Sequence, residues 1–88
     1  LKVEFRGSFG KDLRCVGDEK IKARVQERIE TVERAQNLQE IKNLKKLRGG
    51  GQNYSMRVGD YRLGLILEGD TVVFVRFLHR REVYRYFP

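Results

Sequence analysis

YSMRVGDYRLGLILEGDTVVFVRFL, residues 54–78, reads as three strands divided by two tight turns. Met56 and Val58 alternate with Arg57, and Leu63 and Leu65 with Arg62, the period of two that marks a half-buried strand. Gly59-Asp60 and Gly69-Asp70 are turn pairs of the kind that join antiparallel neighbours. The run Val72-Val73-Phe74-Val75 marks a well-buried strand. Strands are therefore predicted over 54–58, 60–67 and 70–78, with a last short one over 82–86 closed by Pro88.

Upstream the period changes. Residues 2–6 alternate Val3 and Phe5 with charged neighbours, which predicts a short first strand. Ser8 can cap a short helix carrying Phe9, Leu13 and Val16 on one face, ended by Gly17. Asp18 is the expected cap of a second helix. Ile21, Val25, Ile29 and Val32 recur there at spacings of four, four and three, and Asn37 is a stop. Leu38, Ile41, Leu44 and Leu47, three apart, predict a helical turn or two, then an extended approach to Gly49-Gly50-Gly51. The three glycines read as a flexible loop. They are not a phosphate cradle, because no Gly-Lys-Ser/Thr ending opens a helix after them. The whole is one α+β domain over residues 1–88. Two N-terminal helices pack on a small, mostly antiparallel sheet, with a cleft expected on the sheet's other face.

Charge gives the first functional clue. The net charge is +7, and it is uneven: residues 1–41 carry 9 basic and 8 acidic side chains, residues 42–88 carry 10 and 4. A basic half on so small a domain suits a polyanion, and its basic residues lie in strand-like sequence rather than on a membrane-binding helix. A soluble basic surface is the plainer alternative. Cys15 and His79 are each the only residue of their type. That argues against a cysteine cluster or histidine-rich metal site and fits a reducing cytoplasm. No apolar stretch approaches the roughly 20 residues of a membrane span, and no secretory signal is evident at the start.

Residues 45–88, KKLRGGGQNYSMRVGDYRLGLILEGDTVVFVRFLHRREVYRYFP, resemble the RelE/ParE toxin superfamily. The likeness rests on the Lys45-Lys46-Leu47-Arg48-Gly49 opening and on Tyr54-x-x-Arg57-Val58-Gly59-Asp60-Tyr61-Arg62. Gly69-Asp70-Thr71-Val72 and His79-Arg80-Arg81-x-x-Tyr84 complete it. The ending Tyr86-Phe87-Pro88 is similar to a RelE subgroup without a long C-terminal helix. The first half matches more weakly, through the order of its elements. The resemblance implies a small antiparallel sheet on two helices. It further implies a ribosome-dependent endoribonuclease that needs no cofactor or metal and cuts messenger RNA in the A site. The partners implied are ribosome, messenger RNA and a silencing, acidic RelB-like antitoxin.

Cleavage of RNA by its own 2′-hydroxyl requires removal of a proton, stabilisation of the phosphorane and protonation of the leaving oxygen. Arg57 and Arg62 alternate with apolar neighbours and can both face the cleft, where a guanidinium fork matches phosphate oxygens. By resemblance Arg62 is the phosphate-stabilising arginine and Arg57 a basic family position. The plainer alternative is a solvated strand face. Arg80, with Arg81 as the alternative, matches the arginine credited with leaving-group protonation. Arginine gives up a proton with difficulty, so electrostatic stabilisation is the safer role. His79 could move a proton near neutral pH or be structural. Tyr84 matches the tyrosine that stacks on a base or assists deprotonation; its alternative is packing on the sheet. Lys45, Lys46 and Arg48 are assigned to RNA phosphates, against the alternative of a solvated charge run. Tyr86 and Phe87 are expected to pack or to meet the antitoxin. Ser55 is a departure, standing where some relatives carry lysine or another charged group. A gyrase poison of the ParE kind and a non-catalytic binding module stay open as alternatives.

Overall fold

The computed structural model describes residues 1–49 and 51–88. In chain order it contains β1 (Lys2–Phe5), α1 (Gly7–Arg14), α2 (Glu19–Arg34) and a 3₁₀ turn (Leu38–Glu40). There follow β2 (Leu44–Lys46), β3 (Asn53–Val58), β4 (Tyr61–Glu68), β5 (Thr71–His79) and a single turn of helix, α3 (Val83–Tyr86). The strands form one sheet in the order β1-β5-β4-β3-β2, with β1 parallel to β5 and every other pair antiparallel. The expected α+β architecture is present. The parallel pairing of β1 was not read from the sequence.

The two hairpin turns are Gly59-Asp60 and Gly69-Asp70, with φ of 60° and 63° at the glycines. A glycine takes that left-handed conformation at the first turn position without the steric cost a side chain would add. The expected glycine loop over 49–51 includes Gly50, which lies outside the described residues. Its neighbours Gly49 and Gly51 both have positive φ.

α2 packs on the sheet through Val25, Ile29 and Val32, against Met56, Val58, Leu63, Leu65, Phe74 and Phe77. Burying each such side chain contributes roughly 1.5–3 kcal/mol. Asp18 caps α2 as expected, its Oδ1 accepting from the amides of Lys20 (2.9 Å) and Ile21 (3.3 Å). Asp18→Ala should therefore cost about 1 kcal/mol. A urea melt should show a lower midpoint with an unchanged slope.

Two local expectations are corrected. Ser8 does not cap α1. Arg6 occupies that position without a side-chain bond, and Ser8 Oγ instead donates to the Val75 carbonyl. Beyond Phe5 the outer edge of β5 has no strand beside it, so α1 supplies the partners. Arg6 N donates to Phe74 O, Ser8 reaches Val75 O, and Asp12 Oδ2 accepts from Phe77 N at 3.0 Å. A buried edge must have its polar groups met in this way. The second correction concerns residues 82–86, which are not a strand. Val83–Tyr86 is a helical turn whose Val83 and Phe87 form a second small core with Leu47, bordered by Ile66, Val75 and Leu78.

Candidate active site

The site lies on the sheet face away from α2, and its frame is one row of the ladder. Lys45 of β2 is in register with Ser55 of β3, Ser55 with Gly64 of β4, and Gly64 with Arg76 of β5. α3 and the residue after it lie across this row. Tyr84 sits at the Ser55 end, Phe87 covers Gly64, and Tyr86 lies at Arg76. Gly64 is required by this packing: a Cβ there would stand 2.8 Å from Phe87 Cγ and Cδ2.

A bulge at Val75 makes the row possible. Leu65 pairs with Phe74 and Gly64 with Arg76, so one extra residue enters β5 between them. An added residue inverts the alternation beyond it. Phe77 thus turns into the core, in register with Leu63, while Arg76 turns to the α3 side.

Ser55 is the centre of the polar network. It is 0% exposed. Arg62 Nη1 donates to its Oγ at 3.1 Å, and that oxygen lies 3.2 Å from the Tyr84 hydroxyl. A guanidinium can only donate, so the serine accepts from Arg62 and keeps its own proton for Tyr84, or accepts from both. Tyr84 is 49% exposed, with Lys45 Nζ 5.8 Å from its ring centroid. A groove of about 400 Å³ runs beside it, lined by Lys45, Lys46, Leu47, Arg48, Phe87 and Pro88.

Arg57 is exposed and stands directly opposite Arg62 on the neighbouring strand, its Nε donating to Gly59 O at 3.0 Å. Like charges in that position repel. Among the described residues no carboxylate lies within ion-pair distance of either. Among the described residues the ion pairs are Arg6–Glu68, Lys22–Glu19 and Arg76–Asp12, and none involves Lys45, Lys46, Arg48, Arg57, Arg62, Arg80 or Arg81.

The sequence candidates divide accordingly. Arg62, Arg57, Tyr84 and Lys45 come together. Arg48 borders the groove. Lys46 also borders it, but pleats to the other side, in register with Tyr54. Arg80 and Arg81 are exposed just beyond β5, and Arg80 N donates to Asp60 O at the β3–β4 turn. That places both arginines at the Arg57 end of the sheet. His79 is not brought to Tyr84. It stands in register with Tyr61 on the α2 side, its ring edge-on to Tyr61 at 5.6 Å, and its Nδ1 accepts from Arg81 N at 3.2 Å.

Ser55, Asp12 and its partner Arg76 were missed as site residues. Ser55 was read only as a departure, although its parity with Arg57 placed it on the same face. Asp12 gave no signal at all, because its partner lies 64 residues away. It grips Arg76 with two bonds of 2.7 and 3.1 Å. These bonds, aided by coulombic attraction and opposed by partial burial, raise the guanidinium pKa above its ordinary value.

Comparison with known proteins bears on the same features. Residues 3–84 match the family of the ParE toxin of the type II toxin–antitoxin system parDE. The chain is 40% identical over 89 residues to toxin RelE3 of Methanocaldococcus jannaschii, with all of both proteins covered. The toxin fold of a RelB–RelE antitoxin–toxin complex from Methanococcus jannaschii superposes with a TM-score of 0.81 at 38% identity, over 97% of this chain and 99% of that one. The RelBE2 toxin–antitoxin complex of Mycobacterium tuberculosis follows at a TM-score of 0.66 and 28% identity, over 90% and 96%. With its sequence matched from end to end and its sheet and helices in the same arrangement, this chain belongs to the RelE/ParE family of type II toxin–antitoxin toxins, on its RelE branch.

Proposed function

We propose that this toxin is a ribosome-dependent, metal-independent endoribonuclease that cuts messenger RNA at the A-site codon and so stops translation. The 2′-hydroxyl attacks the adjacent phosphorus and loses its proton. The P–O5′ bond breaks, leaving a 2′,3′-cyclic phosphate (or, after hydrolysis, a 3′-phosphate) and a 5′-hydroxyl. The observation that carries this reading is the unoffset cation group of Lys45, Arg57 and Arg62 around an exposed tyrosine. In this reading Arg62 meets the phosphorane charge, with Arg57 opposite it on the neighbouring strand. Tyr84 offers a ring for a base and a hydroxyl tied through Ser55 to Arg62. Arg80 and Arg81 supply positive charge toward the leaving oxygen, and Lys46 and Arg48 bind flanking phosphates. In this reading His79 shapes the turn that carries Arg81 rather than moving a proton.

The test is primer extension on a defined messenger, with and without programmed ribosomes. Cuts at A-site codons only when ribosomes are present are the expected result. No cuts under either condition, with folded protein, would sink the reading. The matched family is described by its ParE member, so inhibition of gyrase supercoiling is the assay for that second reading. Block of translation without cuts would mark a binding module.

The same cations suit an acidic antitoxin segment that folds on binding. The solved relative from Methanococcus jannaschii is a complex with RelB. A RelB-like acidic partner in the cytoplasm is accordingly proposed for this chain.

A further inference from the structure

Tyr86, like Phe5, is an exposed aromatic that the proposed reaction leaves unused, and of the two it is the one on the face of the site. It is 53% exposed, more than Tyr84, and so does not serve as core. Arg76 Cζ lies 5.6 Å from its ring centroid. Arg76 is itself fixed by the double bond pair to Asp12, whose carboxylate also holds Phe77 N. The ring therefore rests on a clamped guanidinium at one end of the row, as Tyr84 rests beside Lys45 at the other. Arg76 and Ser55 are two strands apart, about 10 Å at ordinary strand spacing. An extended RNA strand can bridge that distance with one or two nucleotides.

The chemistry of the two ends differs. At the Tyr84 end the cations form no ion pair among the described residues and favour phosphate. At the Tyr86 end Arg76 is already paired with Asp12, so its guanidinium serves as a fixed support for the ring rather than as a free site for an acidic peptide. What is offered is a flat ring backed by a cation, the combination on which nucleobases stack. We infer that Tyr86, seated on the Asp12-clamped Arg76, is a second base-stacking platform for the messenger strand whose cleaved nucleotide lies at Tyr84. This rests on the messenger-cleavage reading and adds to it a second, sequence-tolerant hold on the messenger beside the cut.

The test uses the full-length toxin, free of antitoxin, on ribosomes programmed with a 2′-O-methylated, uncleavable messenger. 2-Aminopurine is placed at each position of the A-site codon and its neighbours in turn, since stacking quenches its fluorescence. Wild type should quench at two separated positions. Tyr84→Ala should lose one and Tyr86→Ala the other, with Tyr86→Phe as wild type. Tyr86→Ala should also raise the half-saturating toxin concentration roughly ten-fold. Retention of the Tyr84-dependent quench in Tyr86→Ala shows that the fold survives. If wild type binds and Tyr86→Ala quenches and binds as it does, the platform is overturned alone. Loss of antitoxin affinity in Tyr86→Ala with unchanged quenching would overturn it in favour of a protein contact. Equal loss in Tyr86→Phe would overturn it in favour of a hydroxyl contact. Failure of wild type to bind programmed ribosomes would overturn the messenger reading itself, and the platform with it.

Discussion

Arg62→Ala should lower ribosome-dependent cleavage by about a hundred- to a thousand-fold, the usual effect of removing one donor aimed at developing charge. The loss should fall on the single-turnover rate at saturating toxin rather than on half-saturation, because the phosphorane carries more charge than the ground-state phosphate. Stability should hold. Arg62 is only partly buried, and its removal relieves the repulsion from Arg57 opposite. A melting temperature near that of wild type is expected beside a near-total loss of cutting, because the lost bond to the buried Ser55 offsets that relief. Arg62→Lys keeps the charge and gives up the fork, so it should recover only part of the rate. A variant that cuts at the wild-type rate would remove Arg62 from the reaction.

The second large effect is on folding, at the contact between Phe87 and Gly64. Phe87 is 2% exposed, and its loss to alanine should cost about 3 kcal/mol or more. A domain of this size has roughly 4–13 kcal/mol in total, so the change is severe. Gly64→Ala attacks the same contact from the other side, driving a methyl to 2.8 Å from the ring, and should cost about 1–3 kcal/mol. The double variant should cost clearly less than the two together, since the new methyl occupies part of the space the ring vacates. Urea melts of the four proteins check this. Additive losses would mean that Phe87 is held by Leu47 and Val83 alone. The single variants should also weaken cleavage, because the Phe87 anchor holds the turn that carries Tyr84.

That turn shows where the sequence ran out. Val83 and Phe87 are four apart, with Arg85 between them, a spacing that fits a strand and one turn of helix equally. Packing onto Gly64 decided between them, and nothing local reports it. The central hairpins were legible because each signal was local: period two within a strand, and glycine where φ must be positive. α2 was legible for the same reason, through its cap and its apolar stripe. What escaped depended on distant partners. The pairing of β1 with β5, the use of Ser8 and Asp12 to close the β5 edge, and the bulge at Val75 all join residues far apart in the chain. The bulge also explains the uneven reading of the site. It leaves β3 and most of β4 in simple alternation, so Arg57 and Arg62 could be placed, but it inverts the end of β5. Arg76 was therefore unassigned, and His79, open in the sequence between a proton carrier and a structural residue, stands beside Tyr61 on the α2 side.

The facing pair Arg57 and Arg62 has one more consequence. Two cations opposed without a counter-charge raise the energy of the folded chain relative to the unfolded one, where they drift apart. Any anionic chain laid over them repays that repulsion along with its own contacts. If the proposed acidic partner binds there, silencing the toxin and strengthening its fold become one thermodynamic event. On the proposed function the protein would be least stable in the unbound form that is free to act, and the repulsion that makes it receptive to a phosphate backbone would be the same one an inhibitor relieves.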